Sequence, residues 1–503
     1  MGSALPVLIT AVEMSPLAKV GGLADVIGAL PRALRRLGVD ARVAVPLHRV
    51  IDRRAHRLRL LATVPVLTPA GPSIARLFET SVRNVPVYLV ENEAFFGRPS
   101  VYGEGDDLVR WLYFCDALLA AAPHLGLDER SAEAWQPRVL HVHDWHSAFL
   151  GSRLLAAPSH PWASCARVYT IHNLALQGPF DQGFARRHGL PIAALMAPPG
   201  LEPDLTFSAM AQGILWSDVV STVSPGYARE IQTPEFGAGL DGLLRSRSDR
   251  LTAVLNGLDY EIFNPDHDPY IPARYSVDTL DRRVENKKAL QERVSLPVQP
   301  QVPLAGMVSR LYDQKGSDLV ALAFQRLLVD HDLQLVVLGT GDPAHERMLS
   351  DLRHAFPRKM ALVLGFDEAL AQLIYAGCDF FLMPSRFEPC GLGQLIALRY
   401  GAVPVVRRTG GLADTVQNCD PHLSSGTGFT FEAATAQELE HAVERTMAAY
   451  EDPAAWRRLQ VRGMNQDFSW DRAAGLYRDM YERALSLRQE AAGATAERST
   501  HDG

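Results

Sequence analysis

Two segments in the second half of the chain combine cations, a carboxylate and glycines in a pattern suited to binding a sugar phosphate. Arg310 and Lys315 flank a loop that follows an apolar run and enters a helix. Glu388 lies in PSRFEPCGLGQ, whose glycines free backbone N–H groups for phosphate, and its carboxylate could hold a sugar hydroxyl. Two cations suit a diphosphate, each pair contributing roughly 4 kcal/mol at ~4 Å and an effective dielectric near 20. Solvated surface cations, contributing under ~1 kcal/mol each, are the alternative.

A third segment, KVGGLADV, follows the first apolar run and leads into a helix. Its paired glycines, Gly21 and Gly22, let the backbone come close to a ligand, and a helix N-terminus offers N–H donors to an anion. Lys19 adds a point charge. Taken alone, the segment fits an ordinary strand–helix turn with a solvated lysine equally well.

Histidines follow two further apolar runs. The segment HVHDWH (141–146) could suggest metal ligands, but no second cluster of plausible spacing accompanies it, so structural histidines are favoured and no metal is expected. His172 and Asn173 lie at the carboxyl end of the next predicted strand. That position suits a role beside a reacting sugar, although a lone histidine is more often structural.

The short apolar runs alternate with longer helical stretches along the whole chain. This alternation predicts parallel sheets with helices on both faces, arranged as two doubly wound α/β domains in tandem. Ligands bind beyond the carboxyl ends of strands in such sheets, where the segments above lie. The predicted strands are Val7–Val12, Ala41–Val45, Val85–Val90, Arg138–His141, Arg167–Ile171, Val219–Val223 and Leu251–Leu255, then Leu304–Val308, Gln334–Leu338, Ala361–Leu364, Phe380–Met383 and Val403–Val406.

The break between the two predicted domains falls in residues 256–277, which are rich in Asp, Pro and Asn. An amphipathic terminal helix is predicted over Ser469–Leu487. The tail from residue 489 is rich in Ala, Thr and Glu and is expected to be disordered.

Composition excludes several classes of protein. The chain has 503 residues, 47% of them hydrophobic, and a net charge of −7, which argues against nucleic-acid binding because that needs a basic face. Five cysteines without CxxC spacing argue against a disulfide framework or a zinc site, and indicate a reducing cytoplasm. The N-terminus lacks the pattern of a signal peptide, and no apolar run approaches the ~18 residues of a membrane helix.

Taken together, the segments resemble the bacterial glycogen synthases and plant starch synthases, a GT-B family of retaining glucosyltransferases. KVGGLADV, HDWH, TIHNLALQG, TVSPGYAREI, NGLD, VSRLYDQKG, LGTGDP, PSRFEPCGLGQ and RRTGGLADTV occur in the family order. Any one of them is a weak signal, whereas the ordered set is highly specific. The resemblance runs from Val7 to about Tyr481, which is nearly the whole chain.

The resemblance implies a GT-B fold, with two Rossmann-like domains facing across a cleft and a C-terminal helix crossing back to the first. The expected divisions are residues 1–258 on the glucan acceptor side, 259–468 on the nucleotide-sugar donor side, the helix at 469–488, and the tail at 489–503. The implied reaction transfers glucose from ADP-glucose to the non-reducing end of an α-1,4-glucan with retained configuration. No metal or other cofactor is implied.

The resemblance also carries roles onto individual residues. The residues matched to the catalytic centre are Asp25, His172, Arg310, Lys315 and Glu388. The residues expected to bind the donor are Lys19, Gly21, Gly22, Asn256, Arg310, Lys315, Gly391 and Leu392. The residues expected around the glucosyl group are Asp106, His172, Asn173, Glu388 and Cys390, although Cys390 also fits a small packed side chain.

The sequence departs from the family pattern at a few positions. Val20 replaces a threonine, Asp107 an asparagine, Trp111 a phenylalanine and Ala211 a lysine. These departures leave acceptor preference, domain contacts and the nucleobase open. The sequence as a whole also leaves the oligomeric state open. The rival interpretations are a synthase that prefers UDP-glucose, an α-glucan phosphorylase carrying pyridoxal phosphate on a lysine, and a non-catalytic glucan-binding homologue.

Overall fold

The computed structural model describes residues 4–126, 134–192, 195 and 207–501, with side chains described up to residue 493. The chain folds into two compact units. The first contains the chain up to Gly257 together with the segment from Trp470, and the second contains Leu258–Ser469. The first unit is therefore discontinuous in sequence.

A large mixed sheet forms the centre of the first unit. Its strands come from β1 (Pro6–Thr10), β2 (Asp40–Pro46), β3 (Arg59–Thr68), β4 (Gly71–Val82), β5 (Val85–Glu91), β6 (Val139–His143), β7 (Ala166–Ile171), β10 (Val219–Thr222) and β11 (Leu251–Ala253), while β8 (Pro179–Phe180) and β9 (Phe207–Ser208) form a separate pair. The order is β11-β10-β7-β6-β1-β2-β5-β4-β3. Val7 of β1 lies opposite Ala41 of β2 and Val139 of β6, in parallel register. Every residue of β6 and β7 is buried, as expected for parallel strands covered on both faces.

The hairpin β3–β4 differs from the prediction of parallel strands alone. It extends the edge of the sheet in antiparallel fashion beyond β5. Its residues alternate between the two faces, so that Val64 and Val66 are buried while Leu67 is 82% exposed. A prediction based on continuous apolar runs misses such strands, because only every second residue is apolar and buried.

Helices cover the parallel part of the sheet and connect its strands. They are α1 (Gly22–Arg36), α2 (Glu93–Phe96), α3 (Asp107–Ala121), α4 (Asp144–Ser147), α5 (Phe149–Ala156), α6 (Gln182–Arg187), α7 (Ala209–Trp216), α8 (Pro225–Glu230) and α9 (Asp241–Ser246). The first of them, α1, packs a continuous apolar face that includes Val26, Ile27, Leu30 and Leu34 into the core of the sheet. This face follows the i, i+3, i+4 spacing of a helix buried on one side.

The second unit is a smaller, fully parallel sheet with helices between its strands. Its elements are α10 (Arg283–Arg293), β12 (Leu304–Val308), α11 (Ser317–Asp330), β13 (Gln334–Gly339), α12 (Pro343–Ala355), β14 (Met360–Leu364), α13 (Glu368–Gly377), β15 (Phe380–Met383), α14 (Gly393–Arg399), β16 (Val403–Arg407), α15 (Gly410–Thr415), β17 (Phe429–Phe431), α16 (Ala436–Tyr450) and α17 (Pro453–Met464). The strand order is β14-β13-β12-β15-β16-β17.

The last helix, α18 (Trp470–His501), belongs to the first unit. Ala474, Tyr477 and Tyr481 lie in the same hydrophobic core as α1. The structure corrects the prediction of a disordered tail from residue 489, since the helix continues to His501. The segment from residue 489 contains four alanines and two glutamates, which are strong helix formers. Residues 502 and 503 of that prediction lie outside the described residues.

No helix in the described part of the chain has the length and apolar character needed to cross a bilayer. All five cysteines are described, and each is a buried free thiol.

Candidate active site

In both sheets, the order in which successive strands are added reverses at a point between two neighbouring strands. In the first unit the chain leaves β1 towards β2 on one side and later places β6 on the other. In the second unit it leaves β12 towards β13 and later places β15 on the opposite side. The loops beyond the carboxyl ends of such strand pairs diverge and leave a crevice, which is where ligands bind in open parallel sheets. The loops after β1, β6, β12 and β15 are therefore the ones to consider first.

In the second unit, the loops after β12 and β15 bring together a lysine and a carboxylate. Lys315 Nζ donates to Glu388 Oε2 at 2.6 Å, and Ser385 Oγ donates to the same oxygen at 3.0 Å. The Glu388 side chain is 7% exposed and that of Lys315 is 19% exposed. Oε1 of Glu388 has no hydrogen bond from the described residues, so one carboxylate oxygen is left for a ligand while the other is fixed.

Close packing of the two loops sets this geometry. Gly316 has φ +68°, and a Cβ there would lie 2.3 Å from the carbonyl oxygen of Pro384. Only glycine fits, because a side chain would be both strained and in collision with backbone. The backbone N–H of Arg386 donates to the carbonyl of Gln314 at 2.9 Å. These contacts hold Lys315 against Glu388 although 73 residues separate them.

The other residues predicted in this unit surround the pair in different ways. Arg310 is exposed, with its guanidinium 5.8 Å from the centre of the Tyr312 ring. Gly391, with φ +77°, and Leu392 lie between Glu388 and the first turn of α14. The Cys390 side chain is buried, so only its backbone could face a ligand.

In the first unit, the loop after β1 is held by a carboxylate that the sequence prediction did not include. Glu13 Oε2 accepts hydrogen bonds from the backbone N–H groups of Val20 at 2.7 Å and Gly21 at 3.0 Å. Burial raises the pKa of Glu13, against the opposing effect of these two bonds and of a hydrogen bond with Tyr102. In this structure the Gly21 N–H is bonded to Glu13, so that bond would have to open for Gly21 to donate to a phosphate, and the predicted donor-binding role of Gly21 stays a prediction.

The cation predicted in this loop is also paired. Lys19 Nζ lies 2.6 Å from Asp25 Oδ1, and the two side chains are 45% and 22% exposed. Both residues were predicted to lie in the site. The structure brings them together as an ion pair at the start of α1. Gly22 is the first residue of that helix.

The loop after β6 places a buried aspartate against the backbone of His172. Asp144 Oδ1 accepts from the N–H of His172 at 2.8 Å and, more weakly, from that of Asn173 at 3.4 Å. Asp144 has φ +53°, a left-handed conformation that costs a non-glycine residue about 1–3 kcal/mol. Burial raises its pKa to about 7, in spite of the two N–H donors. The sequence prediction considered Asp144 only as a metal ligand.

The histidines near this loop are uncharged at neutral pH. Nδ1 of His143 lies 2.8 Å from Nε2 of His172. Burial lowers the pKa of His172, His141 and His146 each to about 3, and lowers that of His143 well below its usual range. Across the residues that the structure describes, no group of three or more His, Cys, Asp or Glu is placed so as to hold a metal ion.

Two further predicted residues lie at other points of the first unit. Asp106 precedes α3 and pairs with Arg98 at 2.7 Å. Its neighbour Asp107, where the family pattern has asparagine, pairs with the fully buried Arg110 and so compensates its charge. Asn256 follows β11 and is 6% exposed, and its Oδ1 is buried with no hydrogen-bond partner among the described residues.

An exposed aromatic ring marks the carboxyl end of β14. Phe366 is 87% exposed and follows Gly365, which has φ +137°. The sequence prediction missed this residue, because a single phenylalanine after an apolar run is most simply interpreted as part of the core. At the ligand-binding edge of the sheet it offers a flat apolar face instead.

Comparison with known proteins identifies the family and the fold class. The chain matches the family model described as the starch synthase catalytic domain over residues 6–246 and the model described as glycosyl transferases group 1 over residues 290–459. The solved catalytic domain of starch synthase IV from Arabidopsis thaliana, bound to ADP and acarbose, superposes with a TM-score of 0.87 and 34% identity, covering 96% of this chain and 100% of that one. The fold and site therefore define a glycosyltransferase of the GT-B class.

Two curated relatives extend the comparison over the whole chain. The glycogen synthase of Moorella thermoacetica is 43% identical over 497 residues, which cover 98% of this chain and 99% of that protein. The glycogen synthase of Geobacillus thermodenitrificans is 42% identical over 485 residues, which cover 96% of this chain and 98% of that protein. The chain belongs to the glycogen and starch synthase family.

Proposed function

We propose that this protein extends α-1,4-glucans by transferring glucose from ADP-glucose to their non-reducing ends, with retention of configuration. The observation that carries the proposal is the Lys315–Glu388 pair at the switch point of the second sheet. It places a cation suited to a phosphate beside a carboxylate suited to sugar hydroxyls. The relative from Arabidopsis thaliana, whose structure contains ADP and acarbose, supports the same pairing of nucleotide and glucan.

The costly step is cleavage of the bond between the anomeric carbon and the diphosphate. Negative charge grows on the leaving phosphate while positive charge grows on the sugar. Lys315 and Arg310 are assigned to the phosphate, because donors that are already in place stabilise such charge without reorganising. An interaction of about 4 kcal/mol made only in the transition state would correspond to roughly three decades of rate.

Glu388 is assigned to the hydroxyls of the transferred glucose. Ser385 and Lys315 fix one of its oxygens, and the other is left for the sugar. Once Oε1 bonds the sugar hydroxyls, both oxygens of this carboxylate are occupied, so Glu388 is assigned to orienting the glucose and not to nucleophilic attack. We therefore propose a front-side route, in which the acceptor hydroxyl attacks the face from which the diphosphate leaves and passes its proton to a phosphate oxygen of the leaving group.

The first unit contributes polar groups of a different kind. His172 is neutral and partly exposed, and Asp144 fixes its backbone. His172 is assigned to a sugar hydroxyl, to which a neutral imidazole can donate or from which it can accept a hydrogen bond. Lys19 and Asp25 are assigned to the donor side of the reaction. The Lys19–Asp25 ion pair would have to open for Lys19 to contact a phosphate.

Phe366 is assigned to the nucleobase. Its exposed ring lies on the carboxyl edge of the sheet that carries Lys315 and Glu388. Stacking of a base on an aromatic ring is worth about 1–3 kcal/mol and depends little on which base is bound. This contact therefore supports a nucleotide donor without selecting adenine over uracil.

We further propose that the reaction needs no metal or cofactor and takes place in the reducing cytoplasm. Lys315 and Arg310 supply the charge that a divalent cation supplies to other enzymes acting on diphosphates. The location is supported by the five buried free thiols. Burial raises the pKa of Cys165 and of Cys378 to about 12, so these side chains stay protonated and unreactive.

The deciding experiment measures incorporation of glucose into glycogen from ADP-glucose and UDP-glucose in parallel, with and without chelator. Faster incorporation from ADP-glucose, unchanged by chelator, is expected. Product linkages that NMR identifies as α confirm retention. Glu388→Ala is the matched control and should lose most of the activity. Faster incorporation from UDP-glucose would overturn the choice of donor, and no incorporation from either would favour a non-catalytic glucan-binding protein.

A further inference from the structure

A chain of aromatic side chains runs from the last helix to His172, all within the first unit. Tyr481 OH of α18 lies 2.9 Å from Nδ1 of His141, and Nε2 of His141 lies 2.7 Å from Thr170 Oγ1. His141 is therefore fixed at both ring nitrogens. Its ring lies against that of His143, with centroids 4.1 Å apart. His143 in turn contacts Nε2 of His172 through Nδ1 at 2.8 Å.

The contact between His143 and His172 requires one nitrogen to donate and the other to accept, because both rings are neutral. If His172 donated from Nε2, the proton of His143 would sit on its own Nε2. That atom is fully buried and has no partner among the described residues. Burying an N–H without an acceptor costs free energy, and leaving an acceptor such as a bare ring nitrogen unfilled costs less.

The other arrangement leaves no unpaired N–H. His143 carries its proton on Nδ1 and donates to Nε2 of His172. The proton of His172 must then lie on Nδ1. This nitrogen has no hydrogen bond from the described residues and is not among the fully buried polar atoms, so it remains accessible to a ligand.

We propose that His143 is a positioning residue that holds His172 as the Nδ1–H tautomer, with His141 and Tyr481 fixing the plane of the His143 ring. The inference rests on the role given to His172 in the proposed function and makes it specific. His172 presents a hydrogen-bond donor, and the group that it recognises is an acceptor, such as a sugar hydroxyl oxygen. The bond from His143 prevents the imidazole from turning over and presenting a bare nitrogen.

The tautomers can be observed directly in the full-length, substrate-free protein. Labelling the histidines with ¹⁵N and correlating ring nitrogens with ring protons distinguishes a protonated nitrogen from a bare one. His160 is an internal reference for the Nε2–H form, because its Nδ1 accepts from the Trp162 N–H and its Nε2 bonds the Leu119 carbonyl. His354, whose Nδ1 bonds the Ser350 carbonyl, is the reference for the Nδ1–H form.

His143 and His172 are expected to match the His354 reference, with their signals assigned from their loss in His143→Asn and His172→Gln. A His172 spectrum that matches His160 would overturn the proposal. Because this measurement uses neither donor nor acceptor, it decides the tautomer even if the proposed activity fails.

Two substitutions at His143 separate its role in holding the His172 tautomer from a purely structural role. Asparagine places an amide N–H near the position of the imidazole Nδ1, whereas leucine fills similar space without a donor. His143→Leu is expected to have a kcat about 100-fold below that of His143→Asn, by analogy with the loss of one oriented donor at a reacting centre, with little change in KM. In the leucine variant, His172 should gain a population of the Nε2–H form.

Equal kcat values for the two variants would overturn the proposal that His143 positions His172. If His143→Leu fails to fold, the wild-type spectrum still decides between the two tautomers.

Discussion

Replacing Lys315 with methionine tests the central assignment, and the molecule contains a matched control. Lys287 forms a second buried lysine–carboxylate pair in the same unit, with Nζ 2.6 Å from Asp379 Oδ2. In both pairs the lysine nitrogen lies 2.6 Å from the carboxylate oxygen, and both side chains are largely buried. They differ in position, because Asp379 immediately precedes β15 and Glu388 follows it. The control pair therefore lies at the amino end of the strand and the test pair at its carboxyl end.

The two variants should lose similar stability. Removing one partner of a buried ion pair leaves a charge without compensation and costs about 3–5 kcal/mol. Lys287 Nζ also donates to the carbonyls of Pro300 and Val302, so the loss in Lys287→Met should be at least as large as in Lys315→Met. Chemical denaturation followed by far-UV circular dichroism measures both losses within one unit, since both residues lie in Leu258–Ser469.

The two variants should differ in activity. Lys315→Met loses a phosphate interaction of about 4 kcal/mol, so kcat/KM should fall by two to three decades. Lys287→Met should keep its kcat within about twofold, when rates are compared at a temperature where both variants are folded. Unchanged turnover in Lys315→Met, or an equal loss in Lys287→Met, would refute the assignment of Lys315 to the departing phosphate.

Two further predictions concern Phe366 and the buried histidines. Phe366→Ala should raise KM for the nucleotide sugar roughly tenfold with little change in kcat, whereas Phe366→Tyr should keep the wild-type value; an unchanged KM in the alanine variant would remove the ring from the donor site. Below pH 6.5 the unfolded chain protonates His141, His146 and His172 while the folded chain does not, so the free energy of unfolding falls by about 2 kcal/mol per histidine as the pH falls to 5. The lowered pKa of His143 acts in the same direction. The raised pKa values of Asp144 and Glu13 act in the opposite direction, because these carboxyls bind protons more tightly in the folded state. Because the histidines outnumber these two carboxyls, a net loss of stability between pH 7 and pH 5 is expected from urea unfolding. Stability that is constant or rises over this range would contradict the neutral state of the three rings.

Much of the fold follows from the sequence because parallel strands buried on both faces are continuous apolar runs. The runs at Leu304–Val308 and Phe380–Met383 coincide with β12 and β15. The β3–β4 hairpin escaped prediction because its residues alternate between core and solvent. The continuation of α18 escaped it because the polar, alanine-rich composition of a surface helix resembles that of a disordered tail.

The candidate site was predictable where loops combine glycine with charge. Lys315 and Glu388 stand out in sequence for that reason, and the structure places them in contact. Their catalytic roles stay predictions. Glu13 gave no signal, because one carboxylate shortly after a strand has no distinctive pattern. Its hydrogen bond to Gly21 could not be predicted either, since it depends on how the loop folds back.

The discontinuity of the first unit has a consequence for synthesis on the ribosome. Ala474, Tyr477 and Tyr481 fill its core beside α1, yet they are translated only after the entire second unit. At about 5–20 residues per second, the intervening Leu258–Ser469 segment takes roughly 10–40 s to emerge. Throughout that interval the nascent first unit lacks α18 and leaves an apolar surface uncovered. The contiguous second unit can complete its fold first, and the N-terminal half of the polypeptide is finished only by its last-made helix.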